Sequence, residues 1–463
     1  MENQNVNQRK QWVRLDNASN IFLAAMSNRD SKVFRISAEV TDTVDPDLLQ
    51  QALNKVFEEN LLYHSVLRRG FFWYYLEESD LKPKVEADTN TPCRPLYFFD
   101  RRNLLFRVMY WKKRVSLEVF HVLSDGTGAM WFFQDLLTEY ISLKHPELKD
   151  EDVDVSTYIH DQSSEDSFER HFRRKDQLNF SKAAQSALRG VTMVGAKAKN
   201  FLFPAVERDI KPSSKVYRYK GTYTSDYRPR IIELDMPVKD ILKKSKSMNV
   251  SLTIYLTAVF MESIRKAATD FQGNETMAVS VPVNLRQFFP STSARNFFAV
   301  TRLEYTYKEN GDNSLEAICE ELKAQLDPQL EKDRLEGWLS QLIHYEYHPI
   351  SRIILRPIKD LGLKFVNFLN NRKLTFAISN LGLVSFPDLV DPMIHQVYFH
   401  TIAVRPQFCA ISHNDILTMS FTSPFIEMDI YRHYVRHLND QGIPVTMTVN
   451  KVTKEELGGH HDA

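Results

Sequence analysis

The stretch Phe120-His121-Val122-Leu123-Ser124-Asp125-Gly126 joins two segments of different periodicity. Before it, residues 114–122 are rich in strand formers. Val115, Leu117, Val119 and His121 fall on one face, because strand side chains alternate. After it, Met130, Phe133, Leu137, Tyr140 and Ile141 recur at spacings of three and four. That spacing predicts a helix over 126–143 with one buried stripe. The stretch is therefore a strand–loop–helix junction. A histidine at a strand end can face a cleft. An aspartate four positions on can fold back and fix the turn, and Gly126 permits a conformation that a Cβ forbids. Imidazole has the pKa that a general base needs near neutrality. Alone, His-x-x-x-Asp-Gly in a chain with 14 histidines is better read as a packed histidine beside a turn aspartate.

Working outward, residues 104–111 form a second β-rich run, and Lys112-Lys113 between the two runs is a hairpin signal. Asp45-Pro46-Asp47 followed by Leu49, Ala52, Leu53, Val56 and Phe57 predicts an N-capped amphipathic helix with proline at its first position. Phe71-Phe72-Trp73-Tyr74-Tyr75-Leu76 reads as an aromatic strand. From 151 to about 230 the pattern degrades into an excursion between two lobes. It holds a charged stretch at 161–176 and a basic, partly apolar stretch at 183–206. A basic amphipathic helix can touch lipid or a partner, although covering the protein's own surface is the plainer reading. Lys211-Pro212-Ser213-Ser214 and Tyr227-Arg228-Pro229 are turn signals. Strands are expected again at 231–236, 277–285, 298–307, 374–379, 397–404, 416–421 and 445–449. Helices are expected from Pro237, over 252–268 behind a Ser251 cap, from Ser314 to about 330, and over 335–370. The order is mixed α/β without strict strand–helix–strand alternation, and the second half loosely echoes the first. The expected division is 1–150, 151–230 and 231–463.

The chain has 463 residues, with 59 Lys and Arg against 59 Asp and Glu. Single domains run ~100–200 residues, so the length predicts two domains or one large pseudo-symmetric one. The even balance lacks the basic footprint of a nucleic-acid binder and of a polybasic membrane-surface protein. Thirty Phe, 19 Tyr and 5 Trp rule out disorder over most of the chain. Neither Gly-x-x-x-x-Gly-Lys nor Gly-x-Gly-x-x-Gly occurs. Cys93, Cys319 and Cys409 are odd in number and far apart, which fits a reducing compartment and no zinc knuckle. Residues 1–14 are polar and lack the apolar run of a secretion signal. The apolar stretch 252–261 falls short of the ~20 residues that span a bilayer. The expected location is the cytoplasm.

Placed between strand and helix in the first third of a two-lobed α/β chain, the motif resembles the chloramphenicol acetyltransferase-like superfamily. That group includes condensation domains, wax-ester synthases and alcohol O-acetyltransferases. Its signature is His-His-x-x-x-Asp-Gly, with the second histidine as base. Here Phe120 replaces the first histidine and His121 matches the second, as the alcohol acetyltransferase-like branch tolerates. Arg14-Leu15-Asp16-Asn17-Ala18-Ser19-Asn20-Ile21-Phe22 resembles the opening segment of that branch. Residues 67–76 are similar to the segment after its first helix. Val281-Pro282-Val283-Asn284-Leu285-Arg286 resembles its second-lobe Pro-Val-x-x-Arg strand. Arg295-Asn296-Phe297-Phe298 stands where relatives carry a glycine-containing element, and the glycine is absent. Ser379-Asn380-Leu381-Gly382 resembles the strand lining the lobe junction. The likeness runs from about residue 12 to residue 450.

The resemblance implies two α/β lobes around a central tunnel, with His121 as general base. It implies a structural role for Asp125, Gly126 and Arg286, with Arg286 pairing Asp125 across the lobes, and a lobe junction at Asn296, Ser379, Asn380 and Gly382. It implies direct acyl transfer from a thioester, acyl-CoA as co-substrate, to a hydroxyl or amine acceptor. No bound cofactor and no metal are required. Two other functions fit the same residues: a condensation-type enzyme taking a carrier-bound donor in trans, and a non-catalytic binding module. The absence of an attached carrier domain weighs against the first, and the intact His121 and Asp125 against the second. His433 and His437 share a helix face without a Glu or Cys partner, so solvated surface is expected rather than a metal site. His344 and His348 lie among tyrosines and read as packing or rim positions. Gly458-Gly459-His460-His461-Asp462 reads as a loose polar end.

Overall fold

The computed structural model describes residues 12–27, 29–148, 160, 164–172, 215–224, 226–347, 354–402, 404–453 and 456. Three sheets organise it. A five-stranded sheet has the order β12 (Ile394–Thr401), β2 (Val33–Val40), β7 (Arg114–Phe120), β6 (Phe106–Trp111) and β5 (Val85–Ala87). A seven-stranded sheet has the order β10 (Phe298–Thr306), β9 (Thr276–Asn284), β11 (Phe376–Val384), β13 (Gln407–His413), β14 (Ile416–Ser423), β8 (Arg230–Pro237) and β15 (Thr446–Val449). A small sheet joins β1 (Trp12–Arg14), β4 (Tyr74–Glu78) and β3 (Ser65–Arg69).

Helices α1 (Asn17–Ala25), α2 (Pro46–Glu59) and α3 (Gly126–Lys144) belong to the first half. In α2, Asp45 accepts from the Asp47 and Leu48 amides, and Leu49, Ala52, Leu53, Val56 and Phe57 are buried. This is the N-capped helix that the spacing predicts. Helix α3 packs against α2 and is buried nearly all round, Asp135 and Glu139 included, rather than along one stripe. After a short α4 (Ser167–Phe172), the second half carries α5 (Val238–Ser247), α6 (Leu252–Ala267), α7 (Leu315–Leu326), α8 (Lys332–Tyr347), α9 (Arg356–Asn371) and α10 (Asp429–Asp440). Ser251 and Ser314 cap α6 and α7 by accepting from the third amide on.

Two large cores result. One packs α2 and α3 on the five-stranded sheet; the other packs α6, α7 and α10 on the seven-stranded sheet. The division by sequence does not match them completely. β12 lies within 231–463, yet it pairs antiparallel with β2 of the five-stranded sheet. The second half thus supplies an edge strand to the first. Tyr217, within the expected excursion, belongs to the second core and donates its N–H to the Thr276 carbonyl at 2.8 Å. The stretch 183–206 lies outside the described residues.

Residues 71–76 do not form one strand. Gly70 N–H donates to the Trp73 carbonyl at 2.7 Å, so a tight turn separates β3 from β4 and lifts Phe71 into solvent. β13 shows no apolar–polar alternation in Gln-Phe-Cys-Ala-Ile-Ser-His, because both of its faces are covered; β2 alternates from Phe34 to Val40, yet Arg35 and Ser37 on its polar row are buried as well. One covered row is charged. Glu118 on β7 stands opposite Arg35 on β2 and Arg107 on β6, and it bonds both. Paired in this way, a fully buried carboxylate is tolerable. Among the described residues, no helix is long and apolar enough to cross a membrane. Cys93, Cys319 and Cys409 are free and buried.

Candidate functional site

β7 ends at Phe120, and His121 begins the turn. Its N–H donates to the Lys32 carbonyl at 2.9 Å, and Leu123 N–H returns to the Phe120 carbonyl at 2.8 Å. The chain then enters α3 through Asp125. One carboxylate oxygen, Oδ1, caps the helix by accepting from Gly128 N–H at 2.9 Å. The other, Oδ2, accepts from Arg286 Nη1 at 2.7 Å and from Phe297 N–H at 2.8 Å. Arg286 also donates from Nη2 to the carbonyls of Ser293 at 2.7 Å and Arg295 at 2.8 Å. Both side chains of the pair are buried. Asp125 is therefore committed to holding the α3 end against the 284–297 segment of the seven-stranded half.

The His121 ring sits among three phenylalanines. Phe22 of α1 stacks on it with centroids 3.9 Å apart; Phe34 meets it edge-on at 5.1 Å, and Phe298 lies at 5.6 Å. This apolar surround lowers its pKa to about 4 by burial, against the opposing charge of Asp125. The ring is therefore neutral near neutral pH. Asn296 decides which nitrogen keeps the proton. Asn296 Nδ2 donates to the His121 carbonyl at 2.9 Å and to Ser19 Oγ at 3.1 Å, while Ser19 Oγ donates to the Val122 carbonyl at 2.8 Å. With both amide hydrogens used, Asn296 Oδ1 is an acceptor, and it lies 3.1 Å from His121 Nδ1. Nδ1 carries the hydrogen, and Nε2 keeps a lone pair.

Gly126 is not needed for an unusual backbone angle; among the described glycines only Gly382 and Gly442 have positive φ. A Cβ at Gly126 would come within 2.5 Å of Leu381 Cδ2. Leu381 belongs to a bulge in β11, where Gly382 at φ 76° accommodates the turn and its N–H donates to Asn380 Oδ1 at 2.8 Å. Asn380 Nδ2 in turn reaches Thr253 Oγ1 at 3.1 Å, and Ser379 lies one residue before it on β11. Within this segment Leu381 thus packs on the start of α3, and Asn380 ties it to α6. Asn296 also lies where the halves meet, and there it touches Ser19 and the histidine itself.

Sequence reasoning missed Ser19, Phe22, Phe34, Phe298 and Gly128. A Cβ at Gly128 would lie 2.2 Å from the Ala294 carbonyl oxygen, so this glycine admits a close backbone approach between the halves. The spacing Asp16-x-x-Ser19 was a readable cap signal, since Asp16 does accept from Ser19 N–H at 2.7 Å. Nothing local showed that Ser19 faces Val122. Phe120, where relatives carry the first histidine, is fully buried and stacks on Tyr97. His437 is half-buried on α10 with Nε2 3.4 Å from Tyr255 Oη, so it is not a solvated surface residue; burial lowers its pKa. His433 on the same helix is also half-buried. His344 lies on α8, and His348 and 458–462 lie outside the described residues. Among the described residues, no group of three or more His, Cys, Asp and Glu is placed to hold a metal ion.

The profile of the family described as alcohol acetyltransferase matches residues 84–415, a span that contains His121, Asp125, Arg286 and Asn296. The chain belongs to the alcohol acetyltransferase family. Solved structures share its architecture. TRI3 trichothecene 15-O-acetyltransferase from Fusarium sporotrichioides superposes with a TM-score of 0.58 at 10% identity, covering 94% of this chain and 95% of that one. Polyketide synthase associated protein 5 from Mycobacterium tuberculosis gives 0.55 at 14% identity over 92% and 96%. TRI101 from F. sporotrichioides, solved with coenzyme A and T-2, gives 0.55 at 12% identity over 92% and 97%. At these identities the likeness shows the acyltransferase and condensation-domain fold alone. No curated protein matches the chain by sequence.

Proposed function

We propose that this chain is an acyltransferase that moves an acyl group from acyl-CoA to a hydroxyl or amine acceptor, with His121 as general base. One observation carries the reading. Asn296 holds the hydrogen on Nδ1 of an uncharged imidazole, which leaves Nε2 free to accept a proton. Nε2 takes the proton from the acceptor as its oxygen or nitrogen attacks the thioester carbonyl. The tetrahedral intermediate collapses with cleavage of the C–S bond. The thiolate then takes the proton from the imidazolium, and base and charge balance are restored. No covalent acyl-enzyme is needed. Asp125 and Arg286 act by holding the loop, not by touching the acceptor.

The test is release of free thiol from acetyl-CoA and longer acyl-CoAs against a panel of alcohols and amines. Acceptor-dependent release that survives EDTA supports the reading. Thiol release only with carrier-bound thioesters moves the donor assignment to a carrier protein. Absence of acceptor-dependent release with either donor class contradicts the reading.

A further inference from the structure

Helix α9 (Arg356–Asn371) turns its apolar side outward, and none of its residues is fully buried. Ile358, Leu361, Phe365, Phe368 and Leu369 share one face at helical spacing, and Leu361 is 71% exposed and Phe365 61%. The polar side faces the protein. Arg356 donates from its N–H to the Phe71 carbonyl at 3.1 Å and from Nη1 to the Gly70 carbonyl at 2.9 Å. Lys359 Nζ donates to the Phe72 carbonyl at 3.2 Å, and Asp360 accepts from Tyr74 Oη at 2.8 Å. A surface helix of a soluble protein is ordinarily arranged the other way round.

These same bonds fix the Phe71-Phe72 turn beside the start of α9. Phe71 is 86% exposed, so the hairpin tip extends the apolar face. The charges along this face have one sign. Residues 355–373 contain five basic residues and one acid, and of these Arg356, Lys359 and the acid, Asp360, are bonded inward to the 70–74 turn. Lys364, Arg372 and Lys373 are exposed at its border.

We propose that α9 and the Phe71-Phe72 tip dock this protein on an anionic lipid surface. An apolar face rimmed by lysine and arginine matches the boundary between acyl chains and negative headgroups. A two-fold contact with a second copy would set Lys364, Arg372 and Lys373 of both chains against one another. At ~1.5 Å per residue the helix is too short for the ~30 Å hydrocarbon core, so it lies in the interface plane. The helix packs against α1, whose Phe22 stacks on His121. The lipid face therefore adjoins one wall of the candidate site.

The experiment is co-sedimentation of the full chain with phosphatidylcholine vesicles, with and without phosphatidylserine. The wild-type chain is expected to bind the serine-containing vesicles at least about tenfold more tightly, with loss at high salt. Leu361→Ser, Phe365→Ser and Phe368→Ser together should weaken that binding about tenfold or more with an unchanged near-ultraviolet spectrum. Lys364→Glu with Arg372→Glu should remove the preference for phosphatidylserine. A wild-type chain that ignores phosphatidylserine overturns the proposal without reference to any variant. So does a triple-serine variant that binds as well as wild type. So does a wild-type dimer that the triple-serine variant dissociates, if vesicles bind neither form, since a second copy is then the occupant.

Discussion

At the scale of single residues, His121 and Asn296 make the sharpest predictions. Asn296→Ala removes the acceptor that selects the Nδ1–H tautomer. Turnover should fall about tenfold or more, within the ~10²–10⁴-fold that the base itself is worth. Asn296→Asp puts an anion on Nδ1 and stabilises the imidazolium, so the acid limb of kcat/KM should move up toward neutrality. In the wild type that limb should lie near pH 4, because burial lowers the His121 pKa to about 4. A wild-type limb near 6.5, or an Asn296→Asp limb that stays in place, would contradict the assignment. The same shift bears on stability. The unfolded chain takes up this proton near pH ~6.5 and the folded chain only near 4, so stability should fall as pH drops through that window. Buried His400, with a pKa also lowered chiefly by burial, adds in the same direction. His121 was legible because its motif is local. Asn296 was visible only as a junction residue, since its partners Ser19 and His121 lie 277 and 175 positions away.

At the scale of elements, the start of α3 bears the tension between the halves. Asp125 caps it and binds Arg286 with the opposite oxygen. Arg286→Ala leaves a buried carboxylate without its charge partner and should cost about 3–5 kcal/mol of unfolding free energy. Asp125→Asn should cost less than Asp125→Ala, because an amide oxygen still accepts from Gly128. The Asp125→Asn/Arg286→Ala double variant should lose less than the sum of the two; additive losses in urea titrations would sink the coupling. Gly128→Ala drives a methyl into a backbone carbonyl and should destabilise by about 1–3 kcal/mol or more. Gly126→Ala displaces only the Leu381 side chain and should cost less. Equal effects of the two would refute this ranking. Helices with caps and stripes, such as α2, were legible from spacing. β13 was not, because a strand covered on both faces loses the alternation that marks it, whereas β2 keeps its alternation over 34–40 and was readable as a strand. The 71–76 run misled because Gly70 closes a turn that the aromatic string conceals.

At the scale of the molecule, β12 is the feature that no local pattern announced. Its strand character was readable; its sheet was not, since pairing with β2 spans more than 350 residues. Without β12, the edge of β2 stands open, and open edges recruit other chains. A fragment ending at 230 should therefore aggregate where the whole chain stays dispersed, and light scattering would show it. A dispersed, folded fragment would mean the first half is self-sufficient. One site likewise draws on both halves: His121 follows β7 of the five-stranded sheet, while Asn296 and Phe298 come from the segment leading into β10 and from β10 itself. The measurement that tests this arrangement most directly is steady-state thiol release by the wild type and by His121→Ala, with the best acyl-CoA and acceptor pair. A folded His121→Ala variant should lose ~10²–10⁴-fold in turnover. Near-wild-type turnover in that variant would contradict the role of His121.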